Sequence, residues 1–131
     1  MKVMGVTIAL ILMLVLIVGL LIFLRGSEDD WIKDSRGVYI KHGVPASTPD
    51  YVKEQQDAIN CALNLYQEKK SGGMQFNSQC LGVCENYAVD IVHVPRNDED
   101  NQEENQCSIY RDRIVTKFIE LDKEGNIVRA A

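Results

Sequence analysis

Residues 3–24 have the sequence VMGVTIALILMLVLIVGLLIFL, a run of 22 residues without one charged side chain. As an α-helix, a run of this length extends about 33 Å, which exceeds the hydrocarbon core of a bilayer at about 30 Å. A helix that is apolar on every side has no polar face to turn toward water. The run therefore predicts one transmembrane helix, with the membrane as the partner of residues 3–24.

The borders of this run distinguish an anchor from a cleaved secretory signal. A signal peptide has an apolar region of about 7–15 residues that ends at a small-residue cleavage site. Here the run is longer, and bulky side chains precede Arg25. We therefore expect residues 1–25 to be an uncleaved signal-anchor of a single-pass cell-membrane protein. A removed signal peptide is the alternative.

The basic residues that flank the run predict one orientation. Lys2 precedes the run, and four basic side chains follow it within about 20 residues, the distance over which the positive-inside rule applies. These are Arg25, Lys33, Arg36 and Lys41. The rule alone would keep the rest of the chain in the cytoplasm.

The cysteines predict the opposite orientation. All four lie after the run: Cys61, Cys80, Cys84 and Cys107. An even number in a domain of about 100 residues favours two disulfides, which persist in oxidising compartments. We therefore expect the C-terminal domain to lie outside the cytoplasm, and reduced cysteines would reverse that expectation.

The pairing of these disulfide candidates stays open, because four cysteines allow three connectivities. Cys80–Cys84 together with Cys61–Cys107 is favoured if Gly82 forms a tight turn. Free buried thiols are one alternative. A zinc site with four thiolate ligands is another, although structural zinc sites usually use two closely spaced pairs. We expect no metal and no cofactor.

Charge and length limit the class of protein. The chain carries 14 basic and 19 acidic residues, and without Lys2 and Arg25 the remainder has a net charge of −7. Nucleic acid is not an expected partner, because it requires a basic surface. We expect a charged juxtamembrane stalk at 26–36 and one small extracytoplasmic α+β domain at 37–131. Trp31 is expected either at the lipid headgroups or packed against the domain.

One long helix is predicted in this domain. Thr48 can cap it, Pro49 suits its first position, and Gly72 follows its expected end near Lys70. One side carries the apolar residues Val52, Ile59, Ala62, Leu63 and Tyr66 at helical spacing.

Strands are predicted on both sides of this helix. They lie at 38–41, at 87–94, at 114–121 and after a hairpin loop at 122–125, with a weaker strand at 74–79. The sequence therefore predicts an α+β domain with one helix packed on an antiparallel sheet of about four strands.

This order of elements resembles the cystatin-like arrangement, in which an antiparallel sheet wraps one helix. The resemblance covers roughly residues 38–130 and consists of element order alone. The inhibitor hairpin of that family, Gln-x-Val-x-Gly, has its nearest counterpart at Leu81-Gly-Val83, which lacks the Gln and the spacing. The resemblance therefore implies a fold and not protease inhibition.

The acidic segment 97–106 is the most ligand-like local pattern. Oxygen-bearing side chains alternate at Asp98, Asp100, Gln102 and Glu104. A calcium loop of the EF-hand type needs Gly at its sixth position and Glu at its twelfth, where this chain has Glu103 and Ile109. A solvated acidic loop is expected, with divalent-ion binding as the alternative.

These observations predict a non-enzymatic binding or assembly module, with a protein at the membrane surface as its partner. No catalytic residue is predicted. One alternative is an enzyme with a dispersed site around His93 and a cysteine, although His93 is expected to be packed and hydrogen-bonded. The other is a cystatin-like inhibitory or regulatory domain.

Overall fold

A computed structural model describes residues 2–25 and 29–131 of the chain. The described residues form two compact units, the first from 2–25, 29–31 and 41–47 and the second from 32–40 and 48–131. Residues 26–28 of the predicted stalk lie outside the described residues. Strand β1, Asp30–Lys33, lies within the predicted stalk and forms a two-stranded sheet with β2, Tyr39–His42.

The first unit contains α1, Lys2–Arg25. The predicted apolar helix is confirmed, and within it Met4–Leu24 is long and apolar enough to cross a membrane. Trp31 is 8% exposed, and its indole N–H donates to the Ser47 carbonyl at 3.0 Å. Trp31 is therefore packed against residues of its own unit, and its predicted position at the lipid headgroups stays a prediction.

The long helix of the second unit is α2, Asp50–Ser71. It begins one residue later than predicted, because Pro49 occupies the position before the first turn and accepts the N–H groups of Val52 and Lys53, each at 3.1 Å. No side chain caps α2 within the described chain, so the prediction of a Thr48 cap is wrong. Gly72 follows the last residue of the helix, as predicted, and its N–H donates to the Glu68 carbonyl at 3.0 Å.

Four strands form the main sheet in the described part of the second unit. They are β3 (Gln79–Cys84), β4 (Tyr87–Ile91), β5 (Lys117–Leu121) and β6 (Ile127–Ala130), in the spatial order β3-β4-β5-β6. The β3–β4 and β5–β6 pairs are antiparallel, whereas β4 and β5 are parallel. The α+β class with sheets of two and four strands is shown, and the prediction of a wholly antiparallel sheet is wrong.

The connection between β4 and β5 is long enough to allow their parallel pairing. Parallel neighbours need a crossover of about a dozen residues or more, and residues 92–116 supply it. This connection contains two 3₁₀ turns, Asp98–Asn101 and Glu103–Asn105, and the short helix α3, Ser108–Arg111. We refer to residues 92–116 as the crossover.

Strand limits differ from the predictions by one residue at β2 and by three residues or more in three other places. The weaker strand predicted at 74–79 is wrong, since β3 begins at Gln79, and its Gly82 and two cysteines hide the usual apolar alternation. The strand predicted at 87–94 ends at Ile91, and the one predicted at 114–121 begins at Lys117. In both cases the apolar residues beyond the strand belong to the crossover.

The core lies between α2 and one face of the main sheet. Tyr87, Val89 and Ile91 of β4 and Ile119 and Leu121 of β5 are buried in one cluster with α2. Of the predicted α2 face, Leu63 is partly buried and Val52, Ile59, Ala62 and Tyr66 are buried.

Gln55 of α2 is a buried polar residue that the sequence pattern does not mark. Its side-chain oxygen accepts the Tyr39 N–H at 2.8 Å, and its amide donates to the Gly37 carbonyl at 2.9 Å. The chain from β1 to β2 is thereby fixed to α2.

Candidate functional site

A β-bulge in β3 determines which way its two cysteines point. Cys80 pairs with Asp90 and Gly82 pairs with Val89, so Leu81 is an extra residue on this strand. One inserted residue reverses the alternation of side chains. Cys84 consequently faces α2, and Cys80 faces the other side of the sheet.

Gly82 is required where this bulge passes under α2. Its φ is +156°, and an added Cβ would lie 2.8 Å from Leu65 Cδ2. A larger residue would therefore be strained at this φ and would push the Leu65 side chain aside.

All four cysteines form disulfides, as predicted, but the favoured pairing is wrong. Cys61 of α2 bonds Cys84, and Cys80 of β3 bonds Cys107, which lies in the crossover just before α3. Cys80 and Cys84 cannot bond each other, because they lie on opposite faces of an extended strand and about 13 Å apart along it. One disulfide therefore links sheet to helix, and the other links sheet to crossover.

The sheet face opposite α2 carries a polar cavity of about 200 Å³, between the strands and the crossover. Two carboxylates on neighbouring strands form its floor: Asp90 of β4 is 8% exposed, and Glu120 of β5 is 6% exposed. Its rim includes the side chains of Arg96, Asp100, Tyr110 and Arg129. A pocket with convergent polar groups is the kind of feature in which ligands bind.

The negative charge of Glu120 is paired with two guanidinium groups. Arg96 forms a short ion pair with it, and Arg129 Nε lies 3.1 Å from its Oε2. Arg129 also lies over the Phe118 ring, with its guanidinium carbon 4.7 Å from the ring centroid. Both basic side chains at the rim are therefore engaged with β5.

Asp90 has weaker compensation for its burial. Its carboxylate accepts the Cys107 N–H at 3.1 Å. Burial raises the pKa of Asp90 to about 6, and the charge of Glu120 adds to this rise, while the Cys107 N–H and the charge of Arg96 oppose it. A buried carboxyl with a raised pKa in a cavity is a candidate functional group.

The same carboxyl lies beside the second disulfide. One Asp90 oxygen and the two sulfurs of Cys80 and Cys107 all lie within 4.8 Å of one another. Within the described residues, these three side chains are of the ligand type and lie close enough together to hold a metal ion. Their two sulfurs, however, are already bonded to each other.

Asp100 turns inward from the acidic segment. It is 3% exposed and accepts the His93 and Asn97 N–H groups, the latter at 2.9 Å. Burial opposes its ionisation, but these hydrogen bonds and those of the His93 ring and Ser78 outweigh it, so the pKa of Asp100 is lowered. Asp98, Gln102 and Glu104 are exposed, as expected of a solvated acidic loop, whereas Asp100 is not, and divalent-ion binding stays the untested alternative.

His93 is hydrogen-bonded, as predicted, but lies beyond the end of β4. Its Nδ1 is 3.0 Å from Asp100 Oδ1, and its Nε2 is 3.0 Å from Asn77 Oδ1. Its two ring nitrogens thus bind an aspartate and an asparagine, and the cysteines proposed to accompany it in an enzyme are paired with each other.

Sequence reasoning missed the two carboxylates of the cavity floor. A signal existed, since Asp90 interrupts the apolar run Ala88-Val-Asp-Ile-Val92 and Glu120 interrupts Phe118-Ile-Glu-Leu121. A charged residue inside an apolar strand is seldom buried unless it is paired.

No family model, no curated protein and no solved structure matches this chain. Its function is therefore inferred from its own residues.

Proposed function

We propose that this chain is a single-pass membrane protein whose disulfide-bonded domain lies outside the cytoplasm and acts as a non-enzymatic binding or assembly module. The exposure of α1 is the observation that carries the anchoring. Its large apolar side chains from Met4 to Leu24 are 46–80% exposed, an apolar surface far larger than soluble proteins leave in water.

The free energy of insertion supports this assignment. Residues 3–24 contain sixteen Val, Ile, Leu and Phe residues. Each favours the membrane by about 0.3–0.6 kcal/mol at the centre of a helix, so together they favour insertion by about 5–10 kcal/mol. Thr7 and the two glycines carry no charge, so the large insertion cost of an ionised side chain does not oppose this sum.

The two disulfides support the orientation. Disulfides persist outside the cytoplasm and are rare within it. The basic residues after α1 argue the other way, but long domains translocate largely regardless of such charges.

A tethered module is the function that needs the fewest further assumptions. The anchor holds the domain near membrane partners and raises their effective concentration without high intrinsic affinity. The paired cysteines and the hydrogen-bonded His93 give no support to a cysteine–histidine enzyme. The cystatin-like arrangement is supported by the order of one helix and four strands, while the parallel β4–β5 pair counts against it.

Alkaline extraction of membranes that contain the full chain tests the anchor. We expect the protein to stay in the membrane pellet. The double variant Leu12→Arg, Leu16→Arg should be extracted, because two arginines cost about 5–7 kcal/mol at the helix centre. The matched control Leu12→Ile, Leu16→Ile should stay in the pellet, and extraction of the parent chain would contradict the anchor.

Protease added to intact cells tests the orientation. We expect it to digest the domain without opening the cells, and thiol counting should find no free cysteine in the native protein. Protection of the domain until the membrane is opened would contradict the orientation.

Chemical cross-linking in the native membrane tests the assembly role. It should give a discrete product larger than the monomer, and monomer alone would contradict that role.

A further inference from the structure

The Cys80–Cys107 disulfide is asymmetric in its access to solvent. Cys80 on β3 is exposed, whereas Cys107 is 1% exposed. Cys80 is therefore the half of the bond that we expect an incoming thiolate to attack, and the sulfur of Cys107 is the group that would be displaced. The displaced thiolate would form in a buried position, where an unprotonated sulfur is unfavourable.

A proton source lies beside that position. The Asp90 carboxyl is within 4.8 Å of both sulfurs, a distance that one water molecule can bridge. The same side chain accepts the backbone N–H of Cys107, so it is held against the residue that would leave. Burial raises the pKa of Asp90 to about 6, so a substantial fraction of it carries a proton under mildly acidic conditions.

We propose that Cys80–Cys107 is a thiol–disulfide exchange site for an external dithiol and that Asp90 supplies and takes up the proton of Cys107. This goes beyond the binding module, and it does not depend on the membrane anchor. The exchange is stoichiometric, with the domain as the oxidant of a dithiol protein or a small dithiol.

The exchange proceeds in two balanced displacements. A thiolate of the dithiol attacks Cys80 Sγ and forms a mixed disulfide. The Cys80–Cys107 bond breaks, and its electron pair goes to Cys107 Sγ, which takes the Asp90 proton. The second thiol of the reductant loses its proton to water, and its sulfur attacks the reductant's other sulfur in the mixed disulfide. The bond to Cys80 breaks, and Cys80 leaves as a thiolate that water protonates. The domain gains two electrons and two protons, Asp90 is reprotonated by water, and the dithiol leaves oxidised.

Other charged groups face Asp90 from each surrounding element. They are Glu120 of β5, Arg129 of β6, and Arg96, Asp100 and Tyr110 of the crossover. Glu120 is paired with both arginines, and Asp100 is held by His93 and Asn97. Asp90 is therefore the acidic group of the cavity that is placed to exchange a proton with the Cys107 sulfur.

The Cys61–Cys84 disulfide is an internal reference in the same molecule. It joins α2 to β3 on the core side of the sheet, and Cys84 lies within the apolar cluster. Both bonds therefore experience the same protein concentration, detergent concentration and reductant in every sample.

The test is reduction of the full chain in detergent by dithiothreitol between pH 5 and pH 8. Acid quenching, alkylation and peptide mass spectrometry follow each disulfide separately. We expect Cys80–Cys107 to open first. Its rate constant per dithiothreitol thiolate should fall about tenfold as Asp90 loses its proton, with a midpoint near pH 6. The rate constant of Cys61–Cys84 should show no such midpoint.

Asp90→Asn keeps an oxygen for the Cys107 N–H and removes the titration, so the fall should vanish in this variant. Asp98→Asn, which neutralises an exposed acid of the same crossover, should retain it. Earlier opening of Cys61–Cys84 would overturn the proposal, as would a fall that persists in Asp90→Asn. If Asp90→Asn does not fold, a profile of the parent chain without a midpoint overturns it.

Discussion

Neutralising Asp90 should stabilise the domain at neutral pH, although it alters a buried residue. Asp90→Asn changes one oxygen into an amide nitrogen and keeps the oxygen that accepts the Cys107 N–H at 3.1 Å. The side chain is 8% exposed, so the ionised carboxylate is poorly solvated in the folded state. The variant removes that desolvation cost without opening a cavity.

The magnitude follows from the pKa of Asp90, which rises from 3.8 to about 6 on folding. The folded domain therefore holds this proton to a higher pH than the unfolded chain does. The corresponding stability is fully present below pH 4 and is lost as the pH rises to about 6. At about 1.4 kcal/mol for each pH unit of difference, the loss is about 3 kcal/mol. Asp90→Asn avoids it and should be more stable than the parent at pH 7 by up to that amount.

Asp100 provides a comparison of opposite sign. Its hydrogen bonds lower its pKa, so its contribution is present above its ordinary pKa and is lost as the pH falls through the folded value. Asp100→Asn should therefore be less stable than the parent at pH 7, with a difference that shrinks in acid. The two variants alter similar buried side chains, so opposite outcomes cannot reflect burial alone.

The assay is urea denaturation of the full chain in detergent between pH 4 and pH 8, with the disulfides intact. Near-ultraviolet circular dichroism of the tyrosines reports on the second unit. If the free energies of unfolding of Asp90→Asn and of the parent change with pH in parallel, to within about 0.5 kcal/mol, the pKa of Asp90 is not raised and the reasoning fails.

Two further predictions concern stability. Gln55→Ala should lower the free energy of unfolding by about 2–4 kcal/mol, because two backbone groups lose their partners, whereas Gln67→Ala on the exposed side of the same helix should change it by less than about 0.5 kcal/mol. Equal effects in urea titrations would refute the role of Gln55. Replacing Cys80 and Cys107 together by Ala should cost about 3.5 kcal/mol, given their separation of 27 residues, and a loss below about 1 kcal/mol would contradict the chain-entropy estimate.

Local patterns in the sequence predicted the elements whose hydrogen bonds and burial are also local. The apolar face of α2 has helical spacing, and its end is marked by Gly72. The last hairpin is confirmed, with the Gly125 N–H bound to the Asp122 carbonyl at 3.0 Å and a φ of +89° at Gly125. Such features depend on residues a few positions apart, so a single sequence is enough to find them.

The predictions that failed concern features that depend on distant parts of the chain. The parallel β4–β5 pair depends on where a connection of 25 residues returns to the sheet, which the composition of either strand does not reveal. Gln55 resembles any polar residue of a helix until the segment before β2 folds over it and presents the Gly37 carbonyl.

By itself, the sequence determined that a charge-free apolar helix precedes a small α+β domain and that four cysteines are available for two disulfides. Helical spacing and composition suffice for those conclusions. The tertiary structure decided which cysteines pair and what surrounds Asp90. The extra residue at Leu81 turns Cys80 away from Cys84, and the crossover then brings Cys107 onto the sheet face that Asp90 occupies. A one-residue bulge reverses the faces of a strand, and only strand pairing reveals it.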